Sequence, residues 1–143
     1  MYRVSRQIFS HHAPKLLYDV VNDTDAYKLF VPFCSESAVI EERKDKKLCR
    51  LVFSKGMLSR ELITRNTLFP NERIEIELVQ GDFSHLAGEW RFVPMDGGTM
   101  VELDFEYAFS QAILNYTFGQ IFKPLTEELV DVFCQRANAQ AVR

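Results

Sequence analysis

Long apolar runs are absent from this 143-residue sequence, and no segment approaches the roughly 18 consecutive apolar residues of a transmembrane helix. The first twelve residues include polar residues throughout and lack the apolar core of a signal peptide. We therefore expect a cytoplasmic protein without a transmembrane segment. A transient contact with a membrane surface is the one membrane role that this composition leaves open.

Cysteine and excess positive charge are also scarce. The three cysteines, Cys34, Cys49 and Cys134, show no C-x-x-C spacing, which is typical of reduced thiols in the cytoplasm. The formal net charge is −3, whereas general nucleic-acid binders are usually basic. These features argue against a disulfide-stabilised secreted protein and against a DNA partner. They leave room for a local basic patch.

The residue sets that usually carry catalysis are missing as well. There is no G-x-S-x-G nucleophile motif, and no cysteine has a histidine paired with it in the sequence. His11 and His12 are neighbours in a predicted solvated loop, and His85 near a turn is better interpreted as a surface residue than as a gate. No H-E-x-x-H motif is present. We therefore predict no catalytic residues, no metal site and no cofactor.

The C-terminal part of the sequence, residues 111–139, has the periodicity of a long amphipathic helix. Its apolar residues recur at steps of three and four: Leu114, Phe118, Ile121, Phe122, Leu125, Leu129, Val132 and Phe133. Ser110 is the predicted N-cap, and Gly119 with Pro124 predicts a bend rather than an end. Such a helix needs a surface on which to bury its apolar stripe.

The rest of the sequence predicts that surface. A first strand over residues 2–9 precedes two short helices, which begin near Pro14 and Ala26. From residue 36 onward the period changes to two, and six strands follow at residues 37–43, 48–55, 58–68, 73–80, 85–93 and 99–109. Short turns such as Asp96-Gly97-Gly98 require antiparallel neighbours. Glu75, Glu77, Glu102, Asp104 and Glu106 alternate onto the solvent face of these strands.

Several short motifs, in this order and spacing, resemble one known family over residues 2–139. They are Tyr18-Asp19-Val20-Val21-Asn22-Asp23, then Tyr27, Phe30, Pro32 and Cys34, then Trp90-x-Phe92-x-Pro94, Phe118-Gly119, and Val130-x-x-Phe133-x-x-Arg136-Ala137. The sequence is similar to the START-like family that holds the coenzyme Q-binding START-domain proteins and the RatA-type ribosome-association toxins. Lys28 departs from the family, which usually has a proline at that position.

The resemblance implies the START-like helix-grip fold. This is an α+β domain in which a curved antiparallel seven-stranded sheet wraps around the long C-terminal helix, with two short helices after the first strand. We expect residues 1–143 to form one such domain. The resemblance also implies a cavity between sheet and helix that holds ubiquinone or a similar prenylated lipid, and a second role in which the protein binds the large ribosomal subunit.

Aromatic residues supply the predicted wall of that cavity. Phenylalanine occurs 12 times, against one tryptophan and five tyrosines, which indicates either core packing or an aromatic-walled site. The predicted ligand-binding residues are Trp90, Phe92, Phe105, Tyr107, Phe109, Phe122, Leu125, Leu129 and Phe30. A pocket of about 300–1,000 Å³ is typical of such sites. Whether Arg50, Arg60 or Asn66 also points inward stays open, because their strands mix polar and apolar residues on both faces.

A basic turn is the predicted contact with ribosomal RNA. Arg43, Lys44, Lys46 and Lys47 gather the positive charge of an otherwise acidic protein, although such turns are usually only solvated hairpins. The leading prediction is therefore a non-enzymatic protein that binds a ubiquinone-like lipid and supports respiratory electron transport. The alternative is a ribosome association toxin that blocks the joining of the subunits, and a cyclase-type enzyme is the weaker third hypothesis.

Overall fold

The computed structural model describes residues 1–141 and contains seven strands and three helices. The strands are β1 (Tyr2–Ser10), β2 (Cys34–Glu42), β3 (Lys46–Lys55), β4 (Leu58–Phe69), β5 (Arg73–Gln80), β6 (Phe83–Met95) and β7 (Gly98–Phe109). The helices are α1 (Pro14–Asn22), α2 (Tyr27–Phe30) and α3 (Gly119–Ala141). Short 3₁₀ turns precede α2 at Thr24–Ala26 and α3 at Ala112–Asn115. This order confirms the predicted helix-grip fold.

All seven strands join one antiparallel sheet in the order β1-β7-β6-β5-β4-β3-β2. Tight turns make β2 to β7 a meander, and β1 pairs with β7 at the far side. Register shifts in the β2–β3, β4–β5 and β6–β7 pairings bend the strands locally. The resulting curved sheet presents a concave inner face, and α3 lies along that face.

The two faces of the sheet differ as the alternation predicts. The inner face buries Val101, Leu103 and Tyr107 of β7, whereas the predicted solvent-facing carboxylates lie outside. There Arg91 binds Glu102 at 2.9 Å and also contacts Asp104. The Arg91 guanidinium lowers the pKa of the Asp104 carboxyl below its usual value. The outer face is therefore a network of ion pairs.

The start of the long helix differs from the prediction. The helix α3 begins at Gly119 rather than at residue 111, so Ser110 lies too far upstream to be its N-cap. The Ser110 amide donates instead to the Asp82 carbonyl at 3.0 Å. Leu114 and Phe118 are both buried at the end of the sheet, and the backbone turns between them. The helix continues through Pro124 to Ala141. Docking of these two apolar side chains takes precedence over helical periodicity in residues 111–118.

Candidate functional site

A cavity of about 90 Å³ lies between the concave face of the sheet and α3. Strands β3 to β7 form its floor and sides, α3 covers it, and the segment around α2 closes one end. Its lining consists of Thr24, Tyr27, Val31, Cys49, Leu51, Phe53, Leu62, Thr64, Asn66, Ile76, Leu86, Trp90, Phe105, Phe122, Leu125, Thr126, Leu129 and Phe133. Most of these side chains are apolar, so the site favours apolar or amphiphilic molecules.

The size of the cavity corrects the expectation of a large pocket. A volume of about 90 Å³ lies below the predicted range and below the roughly 150 Å³ of an apolar cavity that takes up benzene. A prenylated quinone therefore enters only if α3 moves away from the sheet or if the prenyl tail extends outside. The cavity as it stands accommodates the leading atoms of a ligand rather than a whole lipid.

Five of the nine predicted wall residues line the cavity. They are Trp90, Phe105, Phe122, Leu125 and Leu129. Phe122 connects the wall to the core, because its ring lies 4.9 Å from that of Tyr107 and 5.0 Å from that of Phe83. The alternation of the strands and the stripe of α3 were sufficient to find these positions.

The other four predicted wall residues lie outside the cavity lining. Tyr107 and Phe109 belong to the aromatic core at the end of the sheet, where Phe109 stacks on Phe83 at 5.3 Å. Phe92 packs edge-on against Tyr18 at 5.9 Å beneath α1. These three side chains share the inner face with the wall residues, but neighbouring side chains fill the space in front of them.

Phe30 lies behind the cavity wall. Its ring is 5.3 Å from Phe133, which does line the cavity, and the Arg136 guanidinium lies 4.9 Å above it. Tyr27 also approaches Phe133, at 5.0 Å, and it is Tyr27 that faces the ligand space. Tyr27, rather than the predicted Phe30, is therefore the α2 residue that lines the cavity.

The polar part of the lining was not among the predicted site residues. Thr24, Cys49, Thr64 and Asn66 are all buried, and all line the end of the cavity near α2. Cys49 and Thr64 lie opposite each other on neighbouring strands. Cys49 and Thr64 alternate inward with Leu51 and Leu62, and this pattern could have identified them as cavity residues. It was hard to recognise because these strands have polar residues on both faces.

Asn66 is the one of the three open candidates that lines the cavity. Arg50 lies outside, where it pairs with Glu61 and with Glu36 at 3.1 Å. Arg60 approaches Asp82 at 3.4 Å, at the end of the sheet where β4 begins. The cavity is therefore lined by the uncharged amide of Asn66 and by neither of the two arginines.

The polar groups of the cavity are neutral at physiological pH. Burial raises the pKa of the Cys49 thiol, and it also raises that of the Tyr27 phenol, which donates to the Val21 carbonyl. Outside the lining, burial raises the pKa of Cys34 to about 11. No histidine, aspartate or glutamate lines the cavity within the described residues. This lining suits neutral groups.

His85 lies on the outer face of the sheet rather than at the mouth of the cavity, where its Nε2 contacts Glu106 Oε1 at 3.0 Å. Within residues 1–141, no three histidine, cysteine or acidic side chains converge in a geometry that could hold a metal ion. None of the helices in this part of the chain is both long enough and apolar enough to cross a membrane.

The basic turn contains fewer exposed charges than the sequence suggested. Lys47 begins the inner face of β3 and is only 5% exposed, and its ammonium group donates to the Asn22 carbonyl. The expectation that Lys47 contacts RNA from a solvated turn is therefore wrong. Arg43 is exposed but pairs with Glu41 at 2.9 Å. Lys44 and Lys46 remain exposed.

Burial of Lys47 predicts a specific pH dependence of stability. Desolvation lowers the pKa of its amine in the folded protein below the ordinary value of 10.5. Between these two pKa values the unfolded chain binds a proton that the folded protein has released, so stability rises with pH in that window. Lys47→Met should remove this rising component, measured by urea unfolding at several pH values from about 7 to 10.5.

The matched control is Lys46→Met, which alters the exposed neighbour on the same strand. The thiols that titrate in the same range are present in both variants and cancel in the comparison. Curves of Lys47→Met and Lys46→Met that run parallel over the whole range would contradict the assigned burial effect.

Comparison with known proteins places this geometry in context. The family model described as polyketide cyclase / dehydrase and lipid transport matches residues 10–134. The Vibrio cholerae ribosome association toxin RatA is 36% identical over 139 residues, which cover 96% of each chain. The coenzyme Q-binding protein COQ10 homolog B of Xenopus laevis is 25% identical over 85% of this chain and 52% of that protein.

Solved structures show the same fold. The Zhui aromatase/cyclase from Streptomyces sp. R1128 superimposes with a TM-score of 0.84, covering 99% of this chain and 96% of that chain at 16% identity. At this level of identity the likeness concerns the fold alone. The family model, the near full-length relative, and the cavity between sheet and helix agree, and the chain belongs to the polyketide cyclase / dehydrase and lipid transport family.

Proposed function

We propose that this protein associates with the ribosome as a RatA-type factor and acts by binding, without catalysis. The observation that carries the proposal is the 36% identity to a ribosome association toxin over 96% of both chains. Quinone binding was the leading prediction from the sequence. The comparisons support the reverse order, because the coenzyme Q-binding relative is 25% identical and the match covers 52% of that protein.

The exposed cations of the β2–β3 turn are the proposed contact with ribosomal RNA. Lys44 and Lys46 are exposed and have no carboxylate within 4 Å in the described part of the chain, whereas Arg43 is held by Glu41. The outer-face arginines Arg50, Arg65, Arg73 and Arg91 are all paired with carboxylates. Lys44 and Lys46 therefore offer positive charge that phosphates can neutralise.

Charge reversal at this turn tests the proposed surface. Lys44→Glu combined with Lys46→Glu should weaken co-sedimentation with isolated large ribosomal subunits. Each phosphate contact that is lost should also flatten the slope of log affinity against log salt by about 0.7 to 0.9. The experiment measures binding at several salt concentrations for the wild type and the double variant.

The control is Lys15→Glu combined with Lys55→Glu, which makes the same change in net charge away from the β2–β3 turn. This control variant should sediment like the wild type. If the wild-type protein fails to sediment with large subunits at low salt, the ribosome proposal is wrong. If the wild type sediments and both double variants bind equally well, the ribosomal role stands and the assigned surface is wrong.

A second function, binding of an apolar ligand, is favoured by the cavity itself. The lining is mostly apolar, and several large side chains face a space that they do not fill. Packed interiors contain few voids larger than a water molecule, so a retained cavity of about 90 Å³ is better explained by binding than by packing. A ubiquinone-like prenylated lipid remains the proposed natural ligand, with its tail extending beyond the present cavity.

The neutral polar groups favour binding over an enzymatic role. An acyl-transfer or cyclisation reaction needs an activated nucleophile, a base or an acid at the reacting atoms. Within the described residues, the cavity lining offers hydroxyls, a thiol with a raised pKa and an amide. The relatives compared above carry names that denote binding or association, and the cyclase structure is similar in fold.

A gently purified sample should release a lipid on organic extraction. Leu129→Arg should prevent its recovery, because the variant places a guanidinium in the apolar space, and should lower the free energy of unfolding by about 2–4 kcal/mol. Ile113→Arg, which changes a 60%-exposed apolar residue outside the cavity, is the control and should retain the lipid. Mass spectrometry of the extracts gives the result. A lipid-free wild type whose thermal midpoint is unmoved by added quinone would contradict ligand binding.

A further inference from the structure

Asn66 has a hydrogen-bonding pattern that its function in the fold does not explain. The residue is only 8% exposed and lines the cavity. Its Oδ1 accepts a hydrogen bond from Thr64 Oγ1 at 3.0 Å. With the amide in this orientation, Nδ2 has two N–H donors for which residues 1–141 provide no acceptor.

The other polar groups at this end of the cavity are occupied. Thr24 Oγ1 and Cys49 Sγ are 3.5 Å apart and satisfy each other, and the Tyr27 hydroxyl donates to the Val21 carbonyl. Thr126 of α3 also lines the cavity, and its hydroxyl donates to the Lys123 carbonyl at 2.9 Å. The rest of the lining is apolar. The cavity therefore has one polar end with a free donor, and this donor can be satisfied only by an acceptor that enters the cavity.

The apolar end of the lining gives the direction of the rest of a ligand. Leu62 lies four residues from Asn66 along β4, roughly 13 Å at about 3.3 Å per residue. Leu62 and its neighbours Phe53 and Phe122 offer only carbon atoms there. A molecule that occupies the cavity is therefore polar at the α2 end and apolar at the other end.

We infer that Asn66 is the headgroup anchor of the cavity and that the ligand is an amphiphile with a carbonyl or similar acceptor oxygen and an apolar tail. This inference rests on the proposed ligand binding and names the chemistry that the site selects. Asn66 donates from Nδ2 to the carbonyl oxygen, and Thr64 holds the amide in the required orientation. The tail extends past Phe122 toward Leu62.

A pair of isosteric probes tests the anchor. The probes are 2-octanone and 2-methyl-1-octene, which differ only in whether an oxygen atom or a methylene group is double-bonded to carbon 2. Asn66→Leu preserves the size of the side chain and removes the donors. It should weaken the affinity for 2-octanone by about five- to tenfold, the usual effect of one buried hydrogen bond. The affinity for 2-methyl-1-octene should stay unchanged. Thr67→Val, one residue along β4, should change neither affinity.

A second readout does not depend on any variant. In the wild type, the side-chain amide NMR signal of Asn66 should shift when 2-octanone saturates the protein and should shift far less with the hydrocarbon. If both probes bind but the Asn66 signal responds equally to them, or if Asn66→Leu weakens both equally, the anchor is overturned while ligand binding stands. If neither probe binds to the wild type, the proposed ligand binding itself is wrong.

Discussion

The structure depends on one contact, the burial of the apolar stripe of α3 against the concave face of the sheet. Phe122 is at its centre and meets Phe53, Phe83 and Tyr107 at ring distances of 5.9, 5.0 and 4.9 Å. A fully buried side chain of this size stabilises the fold by about 1.5–3 kcal/mol. The curved sheet and α3 fit tightly at this aromatic end, and the cavity lies between them toward α2.

The periodicity of the sequence was sufficient to predict most of the fold. The bounds of β5 are those predicted, and every other predicted strand overlaps an observed one, because alternation reports directly on which residues face the core. The predicted start of α3 was wrong because Leu114 and Phe118 match the spacing of a helix. Both are buried, but they lie in turns that precede α3. Local pattern alone does not distinguish a continuous stripe from two independently docked side chains.

The site was harder to predict than the fold for a related reason. Inward alternation places Phe92 and Tyr107 on the same face as Trp90 and Phe105, but only three-dimensional packing decides which of them faces empty space. Lys47 shows the opposite error. Its position in a charged run predicted a solvated turn, whereas the inward alternation of β3 buries it opposite Asn66. Charge composition was the weaker signal, and strand alternation was the stronger one.

The two proposed activities use different faces of the molecule. Apolar burial inside the sheet carries ligand binding and depends little on salt, whereas phosphate contacts at the β2–β3 turn depend strongly on it. The outer face between these regions is covered by arginine–carboxylate pairs, such as Arg91 with Glu102. A ligand could influence ribosome association only through the strands that connect Asn66 and Lys47 to the exposed turn at Lys44.

We propose that the core is left incompletely filled because the protein binds a ligand there. Equilibrium unfolding of Leu129→Phe with and without 2-octanone tests it most directly, because the larger ring can occupy the cavity that Leu129 lines. We expect a variant that is more stable than the wild type by about 1 kcal/mol and that no longer gains stability from the added ketone. A variant that is less stable than the wild type and still responds to the ketone would contradict the account.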